Sequence, residues 1–277
     1  MNQFFSFRRF SLLVSKHWAD NKRRYSLAVI GFVLLLIVWF ILTLLVESRR
    51  PMNQEVQILT FFFSLFGIGA FYASQYFRDL GSKAKGINFL LVPASAFEKI
   101  LCSFLFTVVI FFSVFTAAFY LVDVLMVTIA NQFLTTEEMV KPDGVINVFT
   151  AFIRLFDGEA DGVSLVYILI IFLTIQSVFV LGSVYFAKYS FVKTVITGFV
   201  VFFVCFCLIY LLFVQLMPVG DYTNMSLTSY RIRTGGSNDH LVQVPEWIGE
   251  VVRIALVYGI APFLWVASYY RLKEKQV

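Results

Sequence analysis

Six apolar runs, each long enough to cross a membrane as a helix, constrain this chain more than anything else in it. A helix needs about 20 predominantly apolar residues to cross the hydrocarbon core of a bilayer. Residues 26–46, 56–77, 101–130, 164–187, 193–216 and 251–270 meet that requirement. The chain has 277 residues, of which 60% are apolar and 14% charged. A soluble domain is about 45–50% apolar and about 25% charged, so lipid must solvate much of this surface. The expected fold is an all-α integral membrane protein with six transmembrane helices in one domain, 1–277. Residues 1–24 mix polar and apolar side chains, and the first run is too long for the core of a signal peptide. It is therefore expected to remain as a span.

Basic residues set the orientation, because short cytoplasmic segments collect Lys and Arg. With the N-terminus inside, the inner segments hold 15 of the 22 basic residues and 4 of the 17 acidic ones. The inner side then carries +11 and the outer side −6, in keeping with the net +5 of the chain. Only Arg49 and Arg50 fall awkwardly, in a short outer turn. Both termini are expected in the cytoplasm, the basic face lying against anionic membrane lipid. The cations are spread over separate segments without a nucleic-acid-binding signature, so no nucleic acid is expected as a partner.

Two outer connections are long, 131–163 and 217–250. The first contains Asp157, Glu159 and Asp161, whose spacing is not that of a calcium loop and fits a solvated acidic surface. The second contains the loop signal TGGSNDH, followed by Pro245 at the start of a short helix. Cys102, Cys205 and Cys207 all fall within apolar runs and are expected as free thiols.

Chemistry inside a bilayer requires ionisable or nucleophilic groups, and the spans hold almost none. Asp123 lies near the outer end of the third span, where hydration is expected. Gln176 is the most central strongly polar residue and the one candidate for a polar path. His17 and His240 fall on opposite sides of the membrane. No HExxH, GxSxG or GxxxxGK[ST] pattern occurs, so no catalytic residue, metal site or cofactor site is expected, and the chain does not read as an enzyme. Gly67, Ala70 and Ser74 place small residues on one face of the second span, a helix-packing or dimer seam.

The inner connection 78–99 is unusual because it is apolar yet lies outside the lipid. Gly81 is the expected C-cap of the second span. Pro93 disfavours helix at Val92, which leaves a short helix over 86–92 that presents Ile87, Phe89, Leu90, Leu91 and Val92. Ser95-Ala96-Phe97-Glu98 matches a capping box, so the third span starts near Ala96. Lys99 is expected at the head-group level. At the N-terminus, Phe4, Phe7, Val14 and Trp18 recur at helical spacing among Arg8, Ser11 and Lys16. This pattern predicts an interfacial helix along the inner head groups before the chain turns into the first span.

These features together resemble the permease subunit of type-2 ATP-binding-cassette exporters. In that family the connection often carries Leu-Pro-x-Ser, then Arg, then a Lys at the head of the third span. Pro93, Ser95 and Lys99 match, while Val92 and Ala96 replace the leucine and the arginine. Pro-Ala-Ser-x-x-Glu-Lys also resembles a bacterial subgroup. The topological likeness covers nearly the whole chain and the motif about fifteen residues of it. The resemblance implies a homodimer or heterodimer of permeases in a bacterial inner membrane, with a separate ATPase subunit that carries ATP and magnesium. It implies a coupling segment comprising Gly86, Ile87, Phe89, Leu90, Leu91, Pro93, Ser95, Glu98 and Lys99. Two other readings compete. One is a non-transporting sensor or scaffold with acidic outer loops. The other is a stand-alone carrier or channel with a polar route built from Gln176, Thr174, Ser177 and Ser183.

Overall fold

The computed structural model describes residues 5–46, 54–132, 146–150, 165–186, 188–216, 221–223, 229–233, 239–243 and 245–275. The acidic residues 157–161, Arg49, Arg50 and Phe4 lie outside these described residues.

Helix α1 runs without interruption from Phe7 to Val46. The interfacial helix and the first span are therefore one element, which corrects the expected turn between them. The stretch contains no proline and a single glycine, Gly31, and nothing in ADNKRRY disfavours helix strongly enough to break it. Its 40 residues correspond to about 60 Å of helix, roughly twice the hydrocarbon thickness. Helix α2 (Gln54–Gln75) leads into a 3-10 turn (Arg78–Gly81) and then into the eight-residue α3 (Lys83–Leu90). Gly81 therefore closes the turn rather than capping α2, and no described glycine takes a positive φ.

Helix α4 (Ala96–Phe104) continues through a π-helical turn (Leu105–Ile110) into α5 (Phe111–Gln132). The chain then forms α6 (Leu165–Tyr185) and α7 (Ser190–Leu216). Helix α8 (Glu246–Ile254) passes through a second π turn (Ala255–Gly259) into α9 (Ile260–Glu274). Among the described residues six helical stretches are long and apolar enough to cross a membrane. The chain is in this sense a multi-pass membrane protein.

Between α7 and α8, among the described residues, three short strands stand in an otherwise all-helical chain. Strands β1 (Asp221–Thr223), β2 (Ser229–Arg233) and β3 (Asp239–Gln243) form an antiparallel sheet. Tyr222 stands opposite Ile232, which in turn stands opposite His240. The sequence signal was present in the alternation of Tyr230 and Ile232 with polar residues and in the Gly-Gly pair between β2 and β3.

Helix α6 is central and packs against α2, α7 and α9, while α1 packs along α5. Contacts from Arg9 to Glu98, Phe32 to Phe115 and Phe40 to Phe119 show that α1 and the α4–α5 helix run in the same direction. The largest core cluster is aromatic: Phe40, Phe61, Phe115, Phe119 and Phe172 are buried together. The Phe61 and Phe119 rings meet edge to face with centroids 5.1 Å apart, an arrangement favoured by the ring quadrupoles. Helix α7 is the opposite case. Its described side chains are exposed apart from a few, among them the buried Ser190 and Thr194. Lipid tails solvate such a face as well as another apolar helix would, so its exposure carries no cost.

Asp123, expected to be hydrated, is buried instead. Val148 N donates to its Oδ2 at 2.8 Å. The Gln57 carboxamide, turned with its nitrogen inward, donates to Asp123 Oδ1 at 3.2 Å and to the Ile146 carbonyl at 3.1 Å. The carboxylate thus ties α2 and α5 to the segment 146–150, and backbone and amide donors stand in for water.

Candidate docking site

The end of the bundle that carries the N-terminus brings together the start of α1, the end of α2, α3, the start of α4 and the ends of α6 and α9. Its organising residue is Glu98, whose side chain is 0% exposed. The capping box read from the sequence is formed. Ser95 N donates to Glu98 Oε2 at 2.9 Å, and Glu98 N donates to Ser95 Oγ at 3.1 Å. The same carboxylate also reaches across to the N-terminus. Its Oε1 accepts from Ser6 N at 2.7 Å and from Arg9 Nη2 at 3.0 Å and Nε at 3.3 Å. One buried anion therefore caps α4 and holds the first turn of α1 against it.

Lys99 is buried rather than placed at the head groups. It donates to the Leu90 carbonyl at 3.1 Å and stands over the Phe89 ring, 5.3 Å from its centroid. Leu90 ends α3, where backbone carbonyls lack partners within the helix, so the ammonium supplies the missing donor and offsets the negative pole. Glu98 and Lys99, adjacent in sequence, thus fasten the connection to α1 on one side and to α3 on the other.

The same contacts divide the apolar residues of the connection. Phe89 turns inward, edge to face on Phe77 at 5.8 Å, beside a buried cluster of Ala73, Ile100, Val180, Val184 and Leu272. Val92 packs beside Leu13, Cys102 and Phe106. Leu90 is half-buried, and Gly86 lies against the Leu80 and Asp79 carbonyls of the 3-10 turn. Ile87 at 57% and Leu91 at 74% remain exposed, one helical turn apart on the same face. Pro93 is exposed in the break between α3 and α4.

Beside this face runs a groove of about 420 Å³. Leu12, Leu13, Leu91, Val92 and Pro93 form much of its apolar lining, and Arg9 and Lys16 supply positive charge. One turn beyond Leu13, aromatic contacts anchor α1. His17 lies 4.8 Å from Tyr76 and 4.4 Å from Phe106 between ring centroids, and its Nε2 is 2.6 Å from the Tyr25 hydroxyl. Burial pushes this imidazole, which lies ahead of the apolar run 26–46, down to about 4.

Comparison with known proteins finds no matching family model, no matching curated protein and no matching solved structure. The site therefore rests on its own geometry, which gives a rigid, apolar, cation-flanked surface fixed to the ends of four long helices. Among the described residues no group of three or more His, Cys, Asp or Glu could hold a metal ion.

The remaining sequence-derived candidates do not join this site. On the N-terminal helix Phe7, Arg8 and Trp18 are exposed and Val14 is half-buried against Leu13 and its neighbours. The seam Gly67, Ala70 and Ser74 is not one open face. Gly67 looks into open space, whereas Ala70 and Ser74 are buried. The close approach is made by Gly69, where a Cβ would lie 2.5 Å from Gln176 Nε2. The hydroxyls of Thr174, Ser177 and Ser183 donate to carbonyls of their own helix. Sequence reasoning missed Arg9 and Ser6, which lie 89 and 92 positions from Glu98. The signal available was an arginine beside Leu12 and Leu13 in the first turns of α1.

Proposed function

We propose that the chain is the membrane-spanning subunit of an ATP-driven exporter, working as a dimer in a bacterial inner membrane with the basic end in the cytoplasm. A separate ATPase would seat on the face made by Ile87 and Leu91, and this chain supplies no catalytic residue. The observation that carries the reading is the attachment of α3. Phe89 is inserted among the ends of α2, α4, α6 and α9, and Lys99 caps the helix, while Ile87 and Leu91 stay uncovered. A short helix held only by its own residues would yield locally when pushed. A helix held this way transfers a push to the ends of four long helices.

The test is affinity purification of the tagged protein in mild detergent. Wild type is compared with a double variant, Ile87→Asp with Leu91→Asp, which leaves the inward-facing Phe89 and Leu90 in place. Recovery of an ATPase with wild type and its loss with the variant is the expected result. Failure to recover any ATPase after gentle crosslinking, or recovery unaffected by the substitutions, would refute the coupling role.

A further inference from the structure

Gln176 occupies the middle of α6, is 0% exposed, and has no hydrogen-bond partner for Nε2 or Oε1 among the described residues. Its neighbours along the helix give it nothing, since the Thr174 and Ser177 hydroxyls donate to the Ile170 and Thr174 carbonyls. The amide is pressed against α2. A Cβ on Gly69 would lie 2.5 Å from Nε2 and 3.1 Å from the Phe111 ring. Buried polar groups are nearly always paired, and an orphaned one disfavours the packing that orphans it. On α2 the buried positions nearby are Gly69, Ala70, Ala73 and Ser74, and the Ser74 hydroxyl donates within its own helix to Phe71. Small side chains permit close approach without interlocking. The seam is thus tightly closed but lacks large knobs, and it contains one group that gains hydrogen bonds as soon as water enters.

We propose that the α2–α6 seam opens to water in the native protein, and that the Gln176 amide is the group that biases it toward opening. The inference does not depend on an ATPase partner. Its test uses the purified chain alone, so it stands or falls separately from the transport reading.

The reporter is a cysteine at position 73 (Ala73→Cys) in a background with Cys102, Cys205 and Cys207 replaced by alanine. A near-isosteric second reporter is Ser74→Cys. The thiolate is the form that reacts with N-ethylmaleimide, and a thiol kept in apolar surroundings is inert. Labelling rate therefore measures water in the seam. Gln176→Met, which keeps the length and removes both polar groups, is expected to slow labelling about tenfold and to raise the melting temperature. Gly69→Ala, which crowds the amide, is expected to speed labelling. Unchanged or faster labelling with Gln176→Met, or a lower melting temperature, would overturn the proposal. The amide would then be stabilising the closed seam.

Discussion

Replacing Glu98 with alanine tests the central arrangement most directly. Three kinds of donor would lose their acceptor: the N-cap amide of Ser95, the amide of Ser6 and the guanidinium of Arg9. The cap contributes about 1 kcal/mol. Hydrogen bonds to a buried charge contribute about 1.5–3 kcal/mol. The Arg9 side chain is 36% exposed, so water compensates part of its loss. The expected total is about 3 kcal/mol, concentrated in the local attachment of α1 to α4 rather than in global stability. At about 1.4 kcal/mol per factor of ten, amide exchange over residues 6–16 should accelerate about a hundredfold. Hydrogen–deuterium exchange in detergent reads this directly. A double-mutant cycle with Arg9→Met should show coupling of about 1 kcal/mol, because each substitution removes the same contact. Exchange over 6–16 equal to wild type in Glu98→Ala would refute the reasoning, as would strictly additive effects. Glu98 would then be only an N-cap, and α1 would be held by its aromatic contacts alone.

Further tests follow from the same geometry. Lys99→Leu removes the donor to Leu90 O and the cation over Phe89, and should cost about 1–2 kcal/mol, read as faster proteolysis across 83–94. Asp123→Asn leaves a second amide facing donors from Val148 and Gln57, and should lower the melting temperature by about 2–6 °C. Gly182→Ala would set a methyl 2.7 Å from Thr194 Cγ2 and should destabilise by about 1–3 kcal/mol, measured by thermal unfolding. His17 has a folded value lowered to about 4 from 6.5. Its contribution is therefore complete above pH 6.5 and is lost as the pH falls from there toward about 4. His17→Phe should flatten this part of the stability profile, whereas an unchanged acid slope would exclude His17 as its source.

The features legible in the sequence were those set by local chemistry. The capping box Ser95–Glu98 and the break at Pro93 depend on residues within one helical turn, and both stand where the spacing put them. Lengths and positions of the apolar stretches were equally readable, since every residue of a span must satisfy the same apolar solvent. Boundaries were less so. The capping box placed the start of the third helix near Ala96, where it lies, but no residue marked that 7–24 would continue unbroken into the first span.

What only the tertiary structure decided is the direction in which each side chain is used. Composition marked Ile87, Phe89, Leu90 and Leu91 as equivalent, but packing against Phe77 and Leu272 takes Phe89 inward and leaves Ile87 and Leu91 outside. The sequence likewise placed Lys99 among head groups and Asp123 in water, because a lone charge at a span's edge normally seeks solvent. The folded chain buries both by bringing acceptors and donors from other segments: the Leu90 carbonyl to Lys99, and Val148 N and Gln57 to Asp123. Local rules fix helices and caps because their energies lie within a few residues. A buried charge is stable only when groups far away in the sequence arrive to satisfy it, and where they arrive is a property of the whole fold.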